Sequence, residues 1–98
     1  MAFVYLLECV DGSYYCGWTN EPYRRLCKHQ AGKGGRYTMS HLPVKMVYLE
    51  KCLDKQAALS REFYIKHYFS KEAKRQLIKS NNNLLNTMSI LEVERKYG

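Results

Sequence analysis

The stretch that decides the fold is FVYLLECVDGSYYCGWTN, residues 3–20. Two runs rich in β-forming residues, 3–9 and 14–18, flank Asp11-Gly12, a pair that is typical of hairpin turns. The stretch therefore predicts an antiparallel hairpin. It also carries an unusual number of phenols for its length, and these are Tyr5, Tyr14 and Tyr15.

The segment after the hairpin predicts a helix that runs to about residue 30. Thr19-Asn20 is its expected N-cap, and Pro22 suits the first turn. A glycine-rich basic loop follows at 31–36, and residues 44–51 predict a third strand. The expected buried stripe of the helix consists of Tyr23, Leu26, Cys27 and Gln30.

Two further helices complete the predicted domain. Asp54 is the expected N-cap of a helix to about residue 68, and Ser70 of one to about residue 79. The order β-β-α-β-α-α predicts an α+β domain over residues 1–80, a three-stranded antiparallel sheet packed with about three helices. Residues 81–98 are expected to form a loosely docked or frayed C-terminal tail.

The composition is that of a small basic protein. The 98 residues include 16 Lys+Arg against 9 Asp+Glu, and the net charge of +7 favours binding to polyanions such as nucleic acid. No run approaches the roughly 18 apolar residues of a membrane span, and the N-terminus has no signal-peptide pattern. We expect a soluble cytoplasmic protein without a membrane partner.

The four cysteines do not form a C-x-x-C pair, and each lies in an apolar stretch. A disulfide framework and a zinc site are both less expected than reduced, buried thiols, because zinc ligands usually come in close-spaced pairs. The cysteines are Cys9, Cys16, Cys27 and Cys52.

Basic residues concentrate between positions 24 and 36, where no acidic residue interrupts them. Arg25 and His29 are spaced i, i+4 and share one face of the predicted helix. The glycine-rich loop can present backbone N–H groups together with Lys33 and Arg36 to a phosphate. The region therefore predicts either a phosphate site or an ordinary solvated basic face. A second cluster of basic residues, at 61–79, is interrupted by acidic residues and is more typical of a solvated helix face.

Glu62 lies on the apolar arc of the helix 54–68, with Ala58, Ile65 and Phe69. A carboxylate in such a position is costly unless it is paired or bound to a metal. One interpretation is a buried partner, such as Arg25 or a tyrosine hydroxyl. The other is a ligand for Mg²⁺, an ion that commonly takes one or two carboxylates plus water and phosphate oxygens.

Together these features resemble the GIY-YIG nuclease superfamily, and most closely its small stand-alone bacterial proteins. The resemblance covers about residues 3–79. It rests on four elements in the expected order: Val4-Tyr5, Tyr15-Cys16-Gly17, the Arg25-x-x-x-His29 segment with the GKGGRYT loop after it, and the helix that bears Arg61-Glu62.

The resemblance implies a divalent-metal-dependent endonuclease or nicking enzyme that hydrolyses DNA with low sequence specificity. By similarity, Tyr5 is the candidate base that activates water, and Tyr15 orients water or phosphate. Arg25 stabilises the phosphorane, His29 assists proton transfer, and Glu62 is the sole protein ligand of one Mg²⁺ or Mn²⁺ ion. The residues expected to contact nucleic acid are Arg24, Lys28, Lys33, Arg36 and Tyr37.

Some positions depart from the family pattern. Phe3 replaces the glycine of the first motif, and Lys74 stands about where many members carry an asparagine. Met39-Ser40-His41 replaces residues that are often basic in related small proteins. These departures leave an alternative open, a nucleic-acid-binding module with the same fold and weak or no catalysis. Glu62 favours the enzyme, because a carboxylate facing phosphates would only repel them in a pure binder.

The length of the hairpin turn decides whether Tyr5 and Tyr15 can share a site. A two-residue turn pairs Tyr5 with Trp18 and places the two tyrosines on opposite faces. A three-residue turn over 10–12, or a bulge, pairs Tyr5 with Gly17 and brings them to one face. Because the resemblance requires a shared site, we predict an odd-length turn or a bulge.

Overall fold

In the computed structural model of the chain, which describes residues 1–97, three strands form one antiparallel sheet in the order β2-β1-β3. The strands are β1 (Ala2–Glu8), β2 (Tyr14–Thr19) and β3 (Lys45–Cys52). Strand β1 is central and β2 is an edge strand. The α+β class and the three-stranded antiparallel sheet are thus confirmed.

The turn between β1 and β2 has three residues, 10–12. The backbone N–H of Cys9 donates to the carbonyl of Ser13 at 2.9 Å, which closes the turn. Gly12 adopts a φ of +84°, a left-handed conformation that glycine tolerates best. The resulting register pairs Tyr5 with Gly17 and Leu7 with Tyr15. The predicted odd-length turn is therefore confirmed, and Tyr5 and Tyr15 lie on the same face of the sheet.

The helices follow the predicted order, with additions that the sequence did not indicate. Asp54 accepts from the N–H of Ala57 at 2.8 Å and Ser70 from that of Ala73 at 3.0 Å, so both predicted N-caps are confirmed. The short helix α2 and the helix after residue 80 were not predicted as defined elements. The helices are α1 (Pro22–Gln30), α2 (Arg36–Met39), α3 (Lys55–Tyr68), α4 (Lys71–Ile78) and α5 (Ile90–Tyr97), with a 3-10 turn at Leu84–Asn86.

Each face of the sheet has its own core. On one face, Val4 and Leu6 pack with Ile65 of α3 and Leu77 of α4. On the other face, the core contains Phe3, Tyr5, Leu7, Leu26 of α1 and Val93 of α5. Because Val93 is fully buried, α5 contributes to the core beneath the tyrosines. The division of the chain into residues 1–80 and a tail of 81–98 stays a prediction.

Helix α1 differs from the prediction at its start and in its buried face. The helix begins at Pro22, and Glu21 occupies the N-cap position without a side-chain hydrogen bond. The predicted N-cap at Thr19-Asn20 was therefore wrong. Thr19 instead accepts from the N–H of Glu21, before the helix starts. The buried positions of α1 are Pro22, Leu26 and His29.

The expected stripe on α1 was therefore right only at Leu26, because His29 takes the inward position one turn later. The exposed members of that stripe are Tyr23, Cys27 and Gln30. All four cysteines are free thiols, as predicted, but Cys27 is exposed and only the other three are buried. Within residues 1–97 no helix is both long and apolar enough to cross a lipid bilayer.

The C-terminal helix supplies the N-terminal cap that α1 lacks. The Glu94 carboxylate of α5 accepts from the backbone N–H groups of Tyr23 at 3.1 Å and Arg24 at 3.4 Å. These are N–H groups of the first helical turn, which have no partner inside the helix. A negative charge at this position also interacts favourably with the helix dipole. Helix α5 therefore helps to fix the start of α1.

We expect Glu94→Ala to lower the free energy of unfolding by about 1 kcal/mol, the usual contribution of an N-cap side chain. Glu94→Gln keeps an oxygen acceptor and should lose less. Chemical denaturation measures both changes, and backbone amide NMR shifts of Tyr23 and Arg24 locate them. Arg95→Ala, at an exposed neighbour on the same helix, is the matched control. Unchanged amide shifts at Tyr23 and Arg24 in Glu94→Ala would contradict the capping role.

Candidate active site

The candidate site is built around edge strand β2, with Tyr5 lying beneath it. Tyr5 is fully buried on the central strand, and Gly17 of β2 lies directly across from it. A Cβ atom at position 17 would come within 2.5 Å of the Tyr5 hydroxyl oxygen. The glycine of the Tyr15-Cys16-Gly17 motif therefore leaves the space that the Tyr5 hydroxyl occupies.

A chain of hydrogen bonds runs inward from the Tyr5 hydroxyl. Tyr5 Oη and His29 Nε2 are 2.8 Å apart, and His29 Nδ1 and Thr38 Oγ1 are 2.9 Å apart. Thr38 donates its hydroxyl proton to the carbonyl of Gly35 at 3.4 Å, so its oxygen accepts from His29. The His29 proton is then on Nδ1, and Nε2 is left to accept the Tyr5 proton.

The glycine-rich loop packs directly on the histidine ring. A side chain at Gly34 would collide with His29 Nδ1, so the backbone can pass this close only at a glycine. This contact, together with Thr38 of α2, holds His29 in one orientation. The GKGGRYT segment thus positions a side chain of the site. Its cations, Lys33 and Arg36, are both exposed at the surface.

Burial shifts the protonation of Tyr5 and His29 in opposite directions. It raises the pKa of Tyr5 to about 12, although the nearby Arg25 guanidinium acts to lower it. Burial, and next the Arg25 charge, lower the pKa of His29 to about 4. At neutral pH the dyad therefore consists of a neutral phenol and a neutral imidazole. The proximity of Arg25 expected from the sequence is present, but burial outweighs its effect on Tyr5.

The low pKa of His29 makes folding stability depend on pH. Between pH 6.5 and about pH 4 the unfolded state binds a proton at this histidine and the folded state does not. The free energy of unfolding should therefore fall as pH falls through this window, by up to about 3 kcal/mol. Denaturation at several pH values measures the slope. In His29→Gln, the free energy of unfolding should fall less over this pH range, by that same amount. If its pH dependence equals that of the parent, the lowered pKa of His29 is contradicted.

Arg25 completes the positive side of the site. Its charge acts on both Tyr5 and His29, as the two pKa shifts show. Its Nε is buried and has no hydrogen-bond partner within residues 1–97. An unsatisfied buried donor is costly unless a ligand satisfies it. The Arg25 side chain is thus suited to binding an anion beside the Tyr5–His29 pair.

Aromatic rings line the mouth of the site. The Tyr15 ring centroid lies 6.4 Å from that of Tyr5 and 5.4 Å from that of His29. Tyr37 stacks on Tyr15 at 6.2 Å, and His41 stacks on Tyr37 at 4.2 Å. The predicted nucleic-acid contact Tyr37 is thus an exposed ring that is in contact with the site.

Glu62 approaches the same edge of the sheet from the opposite face. Ala58 and Ile65 are buried and Glu62 is partly buried, as the predicted arc requires. The polar contact of its carboxylate is Lys66, with Nζ 3.8 Å from Oε2, so the alternative of pairing with Arg25 or a tyrosine hydroxyl is wrong. Lys66 Nζ also lies 5.6 Å from the Tyr15 ring centroid. One lysine therefore reaches both Glu62 and Tyr15 around strand β2.

The donor set at Glu62 fits Mg²⁺ or Mn²⁺ better than zinc. Residues 1–97 contain no group of three or more His, Cys, Asp or Glu side chains that could hold a metal. A lone carboxylate suits Mg²⁺, which keeps several waters and takes substrate phosphate oxygens as ligands. Zinc sites need three or four protein ligands. Glu62 is thus able to hold a divalent ion only together with water and a phosphate.

The sequence analysis missed two residues of the site. Thr38, which sets the tautomer of His29, lies within the GKGGRYT motif, and its position after the glycines was the available signal. Lys66 was assigned to a solvated helix face, although its i, i+4 spacing from Glu62 was visible. The structure brings together Tyr5, Tyr15, Arg25, His29 and Tyr37, with Glu62 joined through Lys66. The other predicted nucleic-acid contacts, Arg24, Lys28, Lys33 and Arg36, are exposed.

The chain is similar to known proteins along most of its length. Residues 1–76 match the family model described as GIY-YIG catalytic domain. A UPF0213 protein of Streptococcus pneumoniae is 41% identical over 91 residues, which are 93% of this chain and 90% of the relative. A UPF0213 protein of Clostridium perfringens is 45% identical over 82 residues, 84% of this chain and 87% of the relative.

A solved structure shows the same likeness in three dimensions. The solution NMR structure of a UPF0213 protein from Bacillus halodurans has a TM-score of 0.53 and 37% sequence identity. The match covers 87% of this chain and 90% of that one. The match to the family model spans β1 through most of α4 and includes each of the predicted catalytic residues. The chain belongs to the GIY-YIG family.

Proposed function

We propose that this protein is a divalent-metal-dependent endonuclease that hydrolyses phosphodiester bonds in DNA with low sequence specificity. The observation that carries the proposal is the cluster of Tyr5, His29 and Arg25. The Tyr5 phenol lies within hydrogen-bond distance of its proton acceptor His29, and Arg25 beside them is a cation with an unpaired donor. Nucleases of the GIY-YIG family act on nucleic acid and generally use divalent ions. The basic surface beside the site is suited to binding the DNA backbone.

In this mechanism Tyr5 takes a proton from the attacking water while its own proton moves to His29 Nε2. The Nδ1–H of His29 remains hydrogen-bonded to Thr38, so the imidazole can accept the Tyr5 proton at Nε2 without rotating. Arg25 neutralises the charge that develops on the phosphoryl oxygens, and its buried Nε gains a partner. Tyr15 orients the phosphate from the mouth of the site.

A divalent ion held by Glu62 would neutralise charge on the phosphate and the leaving oxygen. Positive charge near Tyr5 also lowers the pKa of the phenol, which the folded protein alone holds at about 12. Lys66 Nζ lies 3.8 Å from a Glu62 carboxylate oxygen, so Lys66 has to move or share the carboxylate with the ion. The site thus depends on substrate and metal together.

One observation favours the alternative, a nucleic-acid-binding module with little catalysis. Burial holds the pKa of Tyr5 at about 12 and that of His29 at about 4, and both shifts oppose the proton transfer that hydrolysis needs. A binder would keep the basic surface and the aromatic mouth without using the dyad. The two functions differ in whether a phosphodiester bond is broken.

Incubation of supercoiled plasmid with the pure protein separates the two functions. The enzyme should convert the plasmid to the open-circular form in Mg²⁺ or Mn²⁺ and should be inactive in EDTA. Gel-shift measurements in EDTA should show that binding persists without the metal. Binding without nicking in either metal would support the module and refute the enzyme.

A further inference from the structure

Helix α3 presents a stripe of exposed aromatic side chains to solvent. The doublets Phe63-Tyr64 and His67-Tyr68 are four residues apart, so their rings form two i, i+4 pairs on the helix surface. Phe63 is 56% exposed, Tyr64 51% and Tyr68 70%. Within residues 1–97, eleven large apolar side chains are exposed, and four of them belong to this one helix. The α3 stripe is defined as Leu59, Ser60, Phe63, Tyr64, His67 and Tyr68.

The α3 stripe has the surface shape of a helix that packs against another helix. The ring centroids of Phe63 and His67 lie 4.2 Å apart, and those of Tyr64 and Tyr68 lie 5.2 Å apart. The two pairs form neighbouring ridges along the helix, with a groove between them. Because the rings already pack on each other, they lose little conformational freedom when a partner covers them.

The charges around the α3 stripe favour a second copy of this chain as its partner. The stripe contains no Lys, Arg, Asp or Glu, although the protein has a net charge of +7. A nucleic-acid backbone is bound through lysines and arginines, which the stripe lacks. The neighbouring cations are directed elsewhere, because Lys66 lies 3.8 Å from Glu62 and Arg61 lies 3.1 Å from Glu50. Two copies of a basic protein therefore repel each other least when they meet through this uncharged face.

The area of the α3 stripe is sufficient for a weak dimer. An aromatic side chain buries roughly 150–250 Å² when it is fully covered, so each half-exposed ring offers on the order of 100 Å². The whole stripe then offers roughly 500 Å² per copy, which is about 1,000 Å² in a dimer. That area is the lower limit for a specific interface, and it suits a dissociation constant in the micromolar range. Enrichment in aromatic rings and depletion of charge are also typical of the core of an interface.

We propose that the α3 stripe is the interface of a homodimer with two-fold symmetry. A two-fold axis brings the same patch of both copies together. The two α3 helices cross near Phe63 and Tyr64, in the middle of the stripe, and their i, i+4 ridges interlock at an angle of about −50°. Glu62 and Lys66 are directed toward strand β2, so the dimer leaves the candidate site of each copy open. The proposal does not rest on the proposed function.

Sedimentation velocity of the full-length protein tests the proposal, from about 5 to 500 µM in EDTA and at physiological salt. We expect a monomer at the lowest concentration and a dimer at the highest. Phe63→Lys should raise the dissociation constant at least about 10-fold, because it removes a central ring and places like charges opposite each other. Val10→Lys is the matched control, since it adds the same charge at an apolar side chain of the hairpin turn that is 62% exposed. A parent that stays monomeric throughout, or a dimer that persists unchanged in Phe63→Lys, would overturn the proposal.

A mixture of two variants separates direct contact from a folding defect. Phe63→Lys and Phe63→Glu should each be monomeric alone, whereas an equimolar mixture should form a heterodimer through the new ion pair. Thermal unfolding checks that both variants are folded. Failure of the mixture to associate would overturn the crossing of the helices at Phe63. A monomeric parent whose Phe63→Ser variant loses affinity for single-stranded DNA would also overturn the dimer and identify nucleic acid as the partner of the stripe.

Discussion

Arg25→Ala is expected to slow DNA cleavage about 10²- to 10³-fold, the usual loss when a preorganised donor to a developing charge is removed. Arg25 is the cation that acts on both members of the Tyr5–His29 pair, and its buried Nε has no hydrogen-bond partner within residues 1–97. Initial rates of plasmid nicking in Mg²⁺ measure the loss. Arg75→Ala is the matched control, because Arg75 is exposed on α4 and already paired with Glu72.

The same substitution has a consequence that does not depend on activity. Removing the Arg25 charge should raise the pKa of His29 from about 4 and leave burial as the main cause of its shift. A proton NMR titration of the imidazole measures this change directly. Folding is checked by thermal unfolding. If Arg25→Ala cleaves DNA at the parent rate, or if the pKa of His29 does not change, Arg25 does not act on the Tyr5–His29 pair as proposed.

Glu62→Gln is expected to reduce metal-dependent cleavage by about 10²-fold or more, because a bound metal contributes several kcal/mol of charge stabilisation. The substitution keeps the shape of the side chain and removes the negative charge. DNA binding in EDTA should be unchanged or stronger, since a carboxylate near the phosphates is lost. Higher Mg²⁺ should recover only part of the rate, because a neutral amide is a weaker ligand.

Glu72→Gln is the control for this experiment. Glu72 is exposed on α4 and contacts Arg75 and Gln76, so its substitution should leave the cleavage rate unchanged. If Glu62→Gln retains the parent rate and the parent metal dependence, Glu62 does not hold the ion. If cleavage and DNA binding fall together, the loss reflects binding and the assigned role is wrong.

The sequence predicted the elements whose signals are local. The caps at Asp54 and Ser70 are side chains that bond within one helical turn, and both were correct. The hairpin register was predicted because the family resemblance requires Tyr5 and Tyr15 to share a face, and the three-residue turn with Gly12 meets that requirement. Each of these features depends on residues close together in the chain.

What the sequence did not indicate depends on contacts between distant segments. The cap of α1 comes from Glu94, some seventy positions beyond the N–H groups it satisfies, so no local pattern could reveal it. Thr38 became part of the site only because α2 folds back on His29. The raised pKa of Tyr5 reflects burial by several elements, whereas the sequence showed only the neighbouring charge.

The most direct test of the central claim, that this site hydrolyses phosphodiester bonds, is the single-turnover rate of plasmid nicking in Mg²⁺ by the parent and by Tyr5→Phe. Phenylalanine keeps the ring beneath Gly17 and removes only the hydroxyl that bonds His29. We predict that the parent nicks the plasmid in Mg²⁺ and does not nick it in EDTA. At equal DNA occupancy, Tyr5→Phe should nick at least about 10²-fold more slowly than the parent. Equal rates for the two proteins, or no nicking by the parent, would contradict the account.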